Sequence, residues 1–157
     1  MVEVRLVPMS RKEFEAMLEA SVRRYAEENV KVGYWKPDGA LLRSQQQHDL
    51  LLPDGLRSEG HHLYTAVDAE TDVAVGHIWM RAEPGEERRG FIFDVYINEG
   101  MRGKGYGRAM MMALEGKARR MKLCSLALHV FAYNSVARHL YESLGYEMKS
   151  LNMMKGL

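Results

Sequence analysis

Residues 91–107 read FIFDVYINEGMRGKGYG, and the arrangement of the rest of the chain can be worked out from them. An apolar, strand-like run over Phe91–Ile97 passes through a short break into a basic, glycine-rich loop, which opens into a helical segment over Arg108–Met121. Unpaired backbone N–H groups and the positive end of the helix dipole meet where such a loop joins its helix. The segment therefore predicts a cradle for a diphosphate or a similar polyanion.

The loop combines close access to the backbone with positive charge. Its glycines have no Cβ atom, so a ligand can approach the main chain, and cations surround the same turn. The residues concerned are Arg102, Gly103, Lys104, Gly105, Gly107 and Arg108. No Ser or Thr follows the Gly-Lys pair as in a Walker A loop, and the spacing G-x-G-x-G is not the dinucleotide fingerprint. The pattern that fits is Arg-x-x-Gly-x-Gly.

Composition restricts the class of protein. The 157 residues are enough for one domain, and a formal net charge of +1 does not favour a nucleic-acid-binding polycation. No apolar run is long enough to span a bilayer, so a cytoplasmic location is the default expectation. Cys124 lies in an apolar run, which predicts core packing. His61 and His62 are neighbours in a strand and lack a third ligand, so no metal site is expected.

Hydrophobic periodicity predicts the order β, α, α, β, β, β, α, β, α, followed by one or two last strands. Ser10 and Glu13 form a capping box that begins the first helix, while Asn134 and Gly145 are placed to cap the last one. Short turns between the early strands predict antiparallel pairs, and the long helix predicts one parallel pair. The fold class is therefore α/β, with a mixed, mostly antiparallel sheet and helices on both faces. The predicted strands are Val2–Val7, Leu63–Val67, Val73–Arg81, Phe91–Ile97, Leu123–Phe131, Tyr146–Leu151 and Asn152–Lys155.

The strand before the loop contains an aspartate, Asp94, among apolar residues. Strict alternation predicts one face with Phe91, Phe93, Val95 and Ile97, and the opposite face with Ile92, Asp94 and Tyr96. A carboxylate in that position needs a hydrogen-bond partner, a raised pKa or a water-filled cleft. The sequence leaves open whether Asp94 is functional or a satisfied structural residue. It also leaves open whether Tyr34 and Trp35 line a substrate site or pack in the core.

Two motifs together resemble the GNAT family of N-acetyltransferases. The first is the loop pattern at Arg102, Gly105 and Gly107, and the second is NSVARHLYESLGY, residues 134–146. The second motif matches the family at Asn134, Ala137, Leu140, Tyr141, Gly145 and Tyr146. The resemblance extends over most of the chain, taken as one domain of residues 1–157, and is greatest to uncharacterised bacterial YycN-like members. It implies a sheet in which the two parallel strands splay apart.

The resemblance implies acetyl-CoA as co-substrate and no metal. The pyrophosphate would rest on the N–H groups from Gly103 to Arg108, and the pantetheine arm would pair with the backbone at Val95–Ile97 in the gap between the splayed strands. Asn134 would contact the pantetheine side. The implied cofactor-binding residues are Val95, Tyr96, Ile97, Arg102, Gly103, Lys104, Gly105, Tyr106, Gly107, Arg108 and Asn134.

Direct transfer to an amine in a ternary complex requires an acid, a base and an oxyanion donor. The resemblance implies that Tyr141 protonates the leaving thiolate, and a backbone amide near Tyr96 or Ile97 would stabilise the oxyanion. Asp94 and His129 are equal candidates for the base, since His129 stands where some relatives carry a catalytic glutamate. Neither is needed if water and the amine suffice.

Other functions stay open at this point. A non-catalytic acyl-CoA sensor would use the same fold, and a nucleic-acid-binding module would use the basic turn, although the low net charge does not favour it. The acceptor is a small-molecule or peptide amine whose identity the sequence does not give, and no membrane partner is expected. The oligomeric state is also open, with a homodimer as one alternative.

Overall fold

The computed structural model describes residues 1–157, and its elements follow the predicted order as far as the last helix. The five strands are β1 (Val4–Pro8), β2 (His61–Asp68), β3 (Ala74–Ala82), β4 (Arg89–Ile97) and β5 (Ser125–Leu128). The four helices are α1 (Arg11–Lys31), α2 (Ala40–Leu51), α3 (Tyr106–Arg120) and α4 (Ser135–Ser143). Short 3₁₀ turns occupy Gly55–Arg57 and Glu99–Met101. None of the helices combines the length and the apolar character that a membrane crossing needs.

The strands form one mixed sheet in the order β1-β2-β3-β4-β5. The first three pairs are antiparallel, and β4 pairs with β5 in parallel, from Arg89 opposite Ser125 to Ile92 opposite Leu128. The predicted fold class and the parallel pair are confirmed. The parallel pair forms because α3 carries the chain back to the end of the sheet where β4 begins, as a crossover helix does.

Apolar side chains cover both faces of the sheet. One face packs against α3 and α4 through Met110, Met111, Leu114 and Tyr141, all buried. The other packs against α1 through Phe14 and Met17, together with Leu52 after α2. Trp35 is buried beside Tyr25, whereas Tyr34 is exposed, so only the first of these two aromatics is a packing residue.

The predicted helix caps are present. Ser10 Oγ accepts from the Glu13 N–H at 3.1 Å and the Ser10 N–H donates to Glu13 Oε1 at 2.8 Å, which completes the capping box. The Asn134 side chain accepts from the Ala137 N–H at 3.2 Å. Gly145 has a φ of 94°, as expected of a left-handed residue that follows a helix. These contacts fix where α1 begins and where α4 begins and ends.

The predicted alternation along β4 is wrong at its centre, because a β-bulge interrupts the strand. Asp94 lies opposite Trp79 and Ile92 opposite Met80, so Phe93 is an extra residue without a partner. Ile92, Val95 and Ile97 consequently face the α3 side. The side chains of Phe91, Phe93, Asp94 and Tyr96 point to the α1 side instead. A bulge re-aims the side chains that follow it, and here it re-aims Asp94.

The strands predicted after α4 are not formed, and residues 144–157 contain no helix or strand. Strand β5 is shorter than the predicted Leu123–Phe131, so its outer edge offers few backbone groups for pairing. Met148, Leu151, Met153 and Met154 are exposed, so no buried face holds this segment in a strand. The prediction that Cys124 packs in the core is also wrong, because this residue is exposed just before β5 begins.

Gly76 in β3 is required by the close approach of β4. A Cβ atom at this position would lie 2.1 Å from the backbone oxygen of Tyr96 and 3.1 Å from Cα of Ile97. We expect Gly76→Ala to lower the free energy of unfolding by about 1–3 kcal/mol, since overpacking against backbone cannot relax by rotamer change. Thermal unfolding of this variant beside Gly100→Ala, where a Cβ meets no atom within 4 Å, tests it. Equal melting temperatures for the two variants would contradict the prediction.

Candidate active site

The loop before α3 presents a continuous row of unpaired backbone donors. From Gly103 to Arg108 no backbone N–H group donates a hydrogen bond within the protein, and the first backbone amide of the helix that does so is that of Ala109, to Gly105 O at 3.1 Å. The N-cap of α3 is Gly105, which has no side chain that could cap the helix. Free N–H groups at the positive end of a 15-residue helix favour a bound anion.

The glycines of this loop have two different roles. Gly103 and Gly105 have φ values of 73° and 91°, a left-handed conformation that other residues adopt at a cost. Gly107 lies inside α3, and a Cβ there would meet Leu140 Cδ2 at 3.3 Å. The third glycine therefore lets α4 approach α3 closely, which differs from the ligand access predicted for it.

The cations of the loop are held in different ways. Arg102 donates from Nε to Ile97 O at 3.0 Å, with its guanidinium 5.3 Å from the ring centroid of Tyr96. Arg108 donates from Nη1 to Ser143 Oγ at 3.0 Å, and Lys104 is exposed without a partner. Tyr106 donates its hydroxyl to Asp68, and this hydrogen bond is the main reason why the pKa of Asp68 falls to about 2. Tyr106 therefore fixes the loop to the end of β2.

A gap opens between β4 and β5 next to this loop. The two strands pair only as far as Ile92 and Leu128, and beyond them β4 continues to Ile97 while β5 ends. The Asn98 N–H, directly after β4, donates to the backbone oxygen of Val75 in β3 at 2.8 Å. The N–H and C=O groups of successive residues in a strand point alternately to its two sides. Since Asn98 points to β3, the backbone groups of Tyr96 also point to β3, and those of Val95 and Ile97 point to the gap.

Asp94 is held by two partners on the α1 side of the sheet. Arg24 of α1 donates from Nη2 to both carboxylate oxygens, at 2.7 Å to Oδ1 and 2.6 Å to Oδ2. His77 Nε2 lies 2.8 Å from Oδ2 and its ring stacks on Tyr96. Burial tends to raise the pKa of Asp94, but the hydrogen bond from His77 and the charge of Arg24 outweigh it and hold this pKa below its usual value. The carboxylate is therefore ionised and fully engaged.

Tyr141 lies on α4 on the other side of the gap, with Tyr146 at a ring distance of 6.0 Å. Its ring is buried, and its hydroxyl has no hydrogen-bond partner but is not fully enclosed by protein. Burial, with a smaller contribution from the charge of Asp94, raises the pKa of Tyr141 to about 12. The phenol is thus protonated at neutral pH and its proton is free to be donated.

His129 lies just after β5 and is exposed. It packs edge-on against Phe131 at 4.8 Å, and Phe131 stacks on Tyr133 at 5.8 Å. Lys31 of α1 lies over the Tyr133 ring, with its Nζ 3.9 Å from the centroid. This row of rings follows β5, the strand that borders the gap, and contacts α1 at its Tyr133 end.

The structure therefore brings together most of the predicted site. The loop donors, the backbone of Val95–Ile97 and the side chains of Asp94 and Tyr141 surround one gap, with Asn134 at the start of α4 and His129 on the rim. Three residues on the α1 side were not among the predicted site residues, namely Arg24, Glu28 and His77. A signal existed for the first two, because polar residues at positions 24 and 28 are one helical turn apart, but only the contact of Arg24 with Asp94 shows that this side of α1 faces β4.

The likeness to known proteins extends over the whole of this arrangement. The model of the acetyltransferase (GNAT) family matches residues 17–146. The uncharacterised N-acetyltransferase YycN of Bacillus subtilis (strain 168) is 42% identical over 98% of this chain and 99% of YycN. YdgE of the same organism, also an uncharacterised N-acetyltransferase, is 33% identical over 97% of both chains.

Solved structures give the same result. The crystal structure of YycN superposes with a TM-score of 0.94 and covers 98% of both chains. Spermidine N-acetyltransferase from Vibrio cholerae, in complex with CoA and spermine, has a TM-score of 0.69 at 17% identity, covering 94% of this chain and 83% of that one, and shares the fold. The family match together with full-length relatives above 30% identity shows that this chain belongs to the GNAT acetyltransferase family.

Proposed function

We propose that the protein is an acetyl-CoA-dependent N-acetyltransferase that moves the acetyl group to a primary amine by direct attack in a ternary complex. The observation that carries this proposal is the row of unpaired N–H groups from Gly103 to Arg108, placed beside the gap between β4 and β5. A diphosphate and a thioester arm joined end to end require such a pair of neighbouring sites. The proposal treats residues 1–157 as one cytoplasmic acyltransferase domain.

In this proposal the diphosphate of acetyl-CoA accepts from the loop amides, with Lys104 and Arg108 adding charge. The pantetheine arm pairs with the gap-facing backbone groups of Val95 and Ile97, in the manner of an added strand. Arg102 holds this part of β4 in place, because it donates to Ile97 O and its guanidinium lies near the Tyr96 ring. Asn134, which caps α4, borders the arm. When bound, acetyl-CoA supplies an activated acyl group.

Tyr141 is proposed as the acid that protonates the thiolate. Its unpaired hydroxyl and its pKa of about 12 suit a donor that stays protonated throughout the working range of pH. The gap-facing N–H of Ile97 is proposed as the oxyanion donor in preference to that of Tyr96, which turns toward β3.

For the base, we propose different roles for the two candidates. Asp94 has its oxygens occupied by Arg24 and His77, which disfavours proton transfer to it, and we propose that it positions Arg24 and His77. His129 is accessible on the rim and remains a proton acceptor of the proposed site, alone or through water.

Initial-rate kinetics test the proposal. The purified protein is assayed with acetyl-CoA and a panel containing a lysine peptide, a free N-terminal peptide, a polyamine and an aminoglycoside, while thiol release and the mass of the amine are followed. We expect acetylation of at least one amine, with intersecting double-reciprocal lines. Parallel lines would contradict a ternary complex. Tight binding of acetyl-CoA without turnover across the panel would favour the acyl-CoA sensor.

A further inference from the structure

The carboxylate of Glu28 on α1 is half-buried and has no partner in the protein. Residues 24, 28 and 31 lie on one side of the helix, at the spacing i, i+4 and i+7. The two cations of this row are engaged elsewhere, since Arg24 is bound to Asp94 and Lys31 lies over Tyr133. Glu28 is left as a carboxylate that neither neighbouring cation neutralises by direct contact.

These contacts also locate Glu28 relative to the gap. Arg24 binds β4 at one end of the row, and Lys31 reaches Tyr133 from the segment after β5 at the other end. The row therefore crosses the gap from one strand to the other on the α1 side, with Glu28 between its two ends. The proposed thioester site lies in that gap, and Tyr141 reaches it from the opposite side of the sheet.

The charges around Glu28 are those of Arg24, Glu27, Lys31 and Asp94, and Tyr133 is a further titratable neighbour. Burial raises the pKa of Glu28, the charge of Arg24 opposes this and the charge of Asp94 adds to it, with a net rise. The carboxylate acts in turn on Tyr133, whose pKa is raised first by burial and then by the charge of Glu28. A carboxylate in such surroundings attracts a cation and accepts a proton more readily than an exposed one.

We propose that Glu28 binds the ammonium group of the acceptor and takes the proton that this group must lose before it attacks the thioester. The inference rests on the proposed function and adds to it the residue that binds the acceptor, taken as a primary alkylammonium, and accepts its proton. It assigns the role of base to Glu28 instead of His129 or Asp94, because Asp94 is engaged by Arg24 and His77 and His129 is exposed on the rim, whereas Glu28 has no partner.

The proton balance is complete with the residues of the site. One N–H bond of the ammonium breaks and its proton goes to the Glu28 carboxylate. The nitrogen lone pair then forms the C–N bond to the acetyl carbon. As the C–S bond breaks, Tyr141 gives its proton to the thiolate, and the second nitrogen proton restores the Tyr141 hydroxyl through water. Glu28 finally releases its proton to solvent, so the reaction yields the amide, CoA thiol and one proton.

The experiment compares Glu28→Gln with Glu27→Gln, since the neighbouring Glu27 is exposed and keeps the same helix. The amines are a primary alkylamine that wild-type protein accepts and hydroxylamine, which is neutral at pH 7. We expect Glu28→Gln to lower kcat/KM for the alkylamine about 10²-fold at pH 7, as loss of a general base does, with a deficit that shrinks as pH rises. Hydroxylamine should show little deficit, and Glu28→Asp should keep part of the rate.

Several results would overturn the inference. They are equal rates for the two Gln variants, an equal deficit for hydroxylamine, or a rise in KM with unchanged kcat, which would mean binding without proton transfer. Stabilisation by acetyl-CoA, measured by thermal unfolding, must be the same in wild type and Glu28→Gln, which shows that the variant is folded. If wild-type protein is stabilised by acetyl-CoA but acetylates no amine of the panel used to test the proposed function, that function fails as well, and this result is distinct from a failure confined to Glu28.

Discussion

Tyr141→Phe is expected to lower kcat by about 10²–10⁴-fold, the usual range for loss of a general acid. The phenol has no partner in the protein, and its pKa of about 12 keeps the proton in place until the thiolate forms. Phenylalanine fills the same space in the α4 core and breaks no hydrogen bond. The melting temperature and the affinity for acetyl-CoA should therefore stay close to wild type, and the effect should appear in kcat alone.

Tyr146→Phe is the matched control for this prediction. Tyr146 lies beside Tyr141, and its hydroxyl is buried without a partner, so its removal changes the same cluster without touching the proposed thiolate site. Its kcat should stay within about twofold of wild type, as expected of a hydroxyl outside the chemistry. If both variants lose the same activity, or if neither loses any, Tyr141 is not the acid.

Asp94→Asn is expected to lower the free energy of unfolding by about 3–5 kcal/mol, because it leaves the Arg24 guanidinium without its counterion. The side chains of this pair are 25% and 10% exposed, so solvent screens them little. For a chain of this size each kcal/mol corresponds to roughly 2–4 °C, which gives a fall in melting temperature of about 10 °C. Thermal or denaturant unfolding measures it.

The control for Asp94 is an exposed ion pair in the same protein. Arg5 and Asp72 contact each other with side chains 54% and 75% exposed, so Asp72→Asn should cost less than about 1 kcal/mol. A cost for Asp94→Asn as small as that of the control would contradict the account of Asp94 as a tightly held anion.

The same pair predicts a dependence on pH. The folded pKa of Asp94 is below its ordinary value of 3.8, so its contribution to stability is present above about pH 4. That contribution is lost as the pH falls through the folded pKa and both states become protonated. Wild-type stability should therefore decline below about pH 4 more steeply than that of Asp94→Asn, measured as unfolding free energy against pH.

Much of this fold could be predicted because the signals are local. The Ser10–Glu13 capping box, the glycine loop and Gly145 each specify a backbone conformation by residue type within a few positions. The order of strands and helices then determines one parallel pair. The two family motifs gave the cofactor loop and Tyr141, whose positions around the gap follow from the same order.

The bulge in β4 could not be predicted from the alternation. In FIFDVYI apolar residues occupy both faces in either register, so nothing in the sequence shows that Phe93 is the extra residue. The contact between Arg24 and Asp94 could not be predicted for a different reason. Arg24 and Asp94 are 70 residues apart, and their contact depends on how α1 crosses the sheet. The prediction of strands after α4 was wrong because, although the sequence pattern there is typical of a strand, β5 is too short to pair with it.

Thermal unfolding with acetyl-CoA, beside NADH and ATP, tests most directly the claim that the loop from Gly103 to Arg108 binds the diphosphate of acetyl-CoA. At one hundred times its dissociation constant the ligand should add about 2.7 kcal/mol, a rise of several degrees. We expect this rise with acetyl-CoA and not with NADH or ATP, and its loss in Gly105→Val, which forces a branched side chain into the left-handed conformation at the N-cap of α3. No rise with acetyl-CoA, together with a rise with NADH or ATP, would contradict the account.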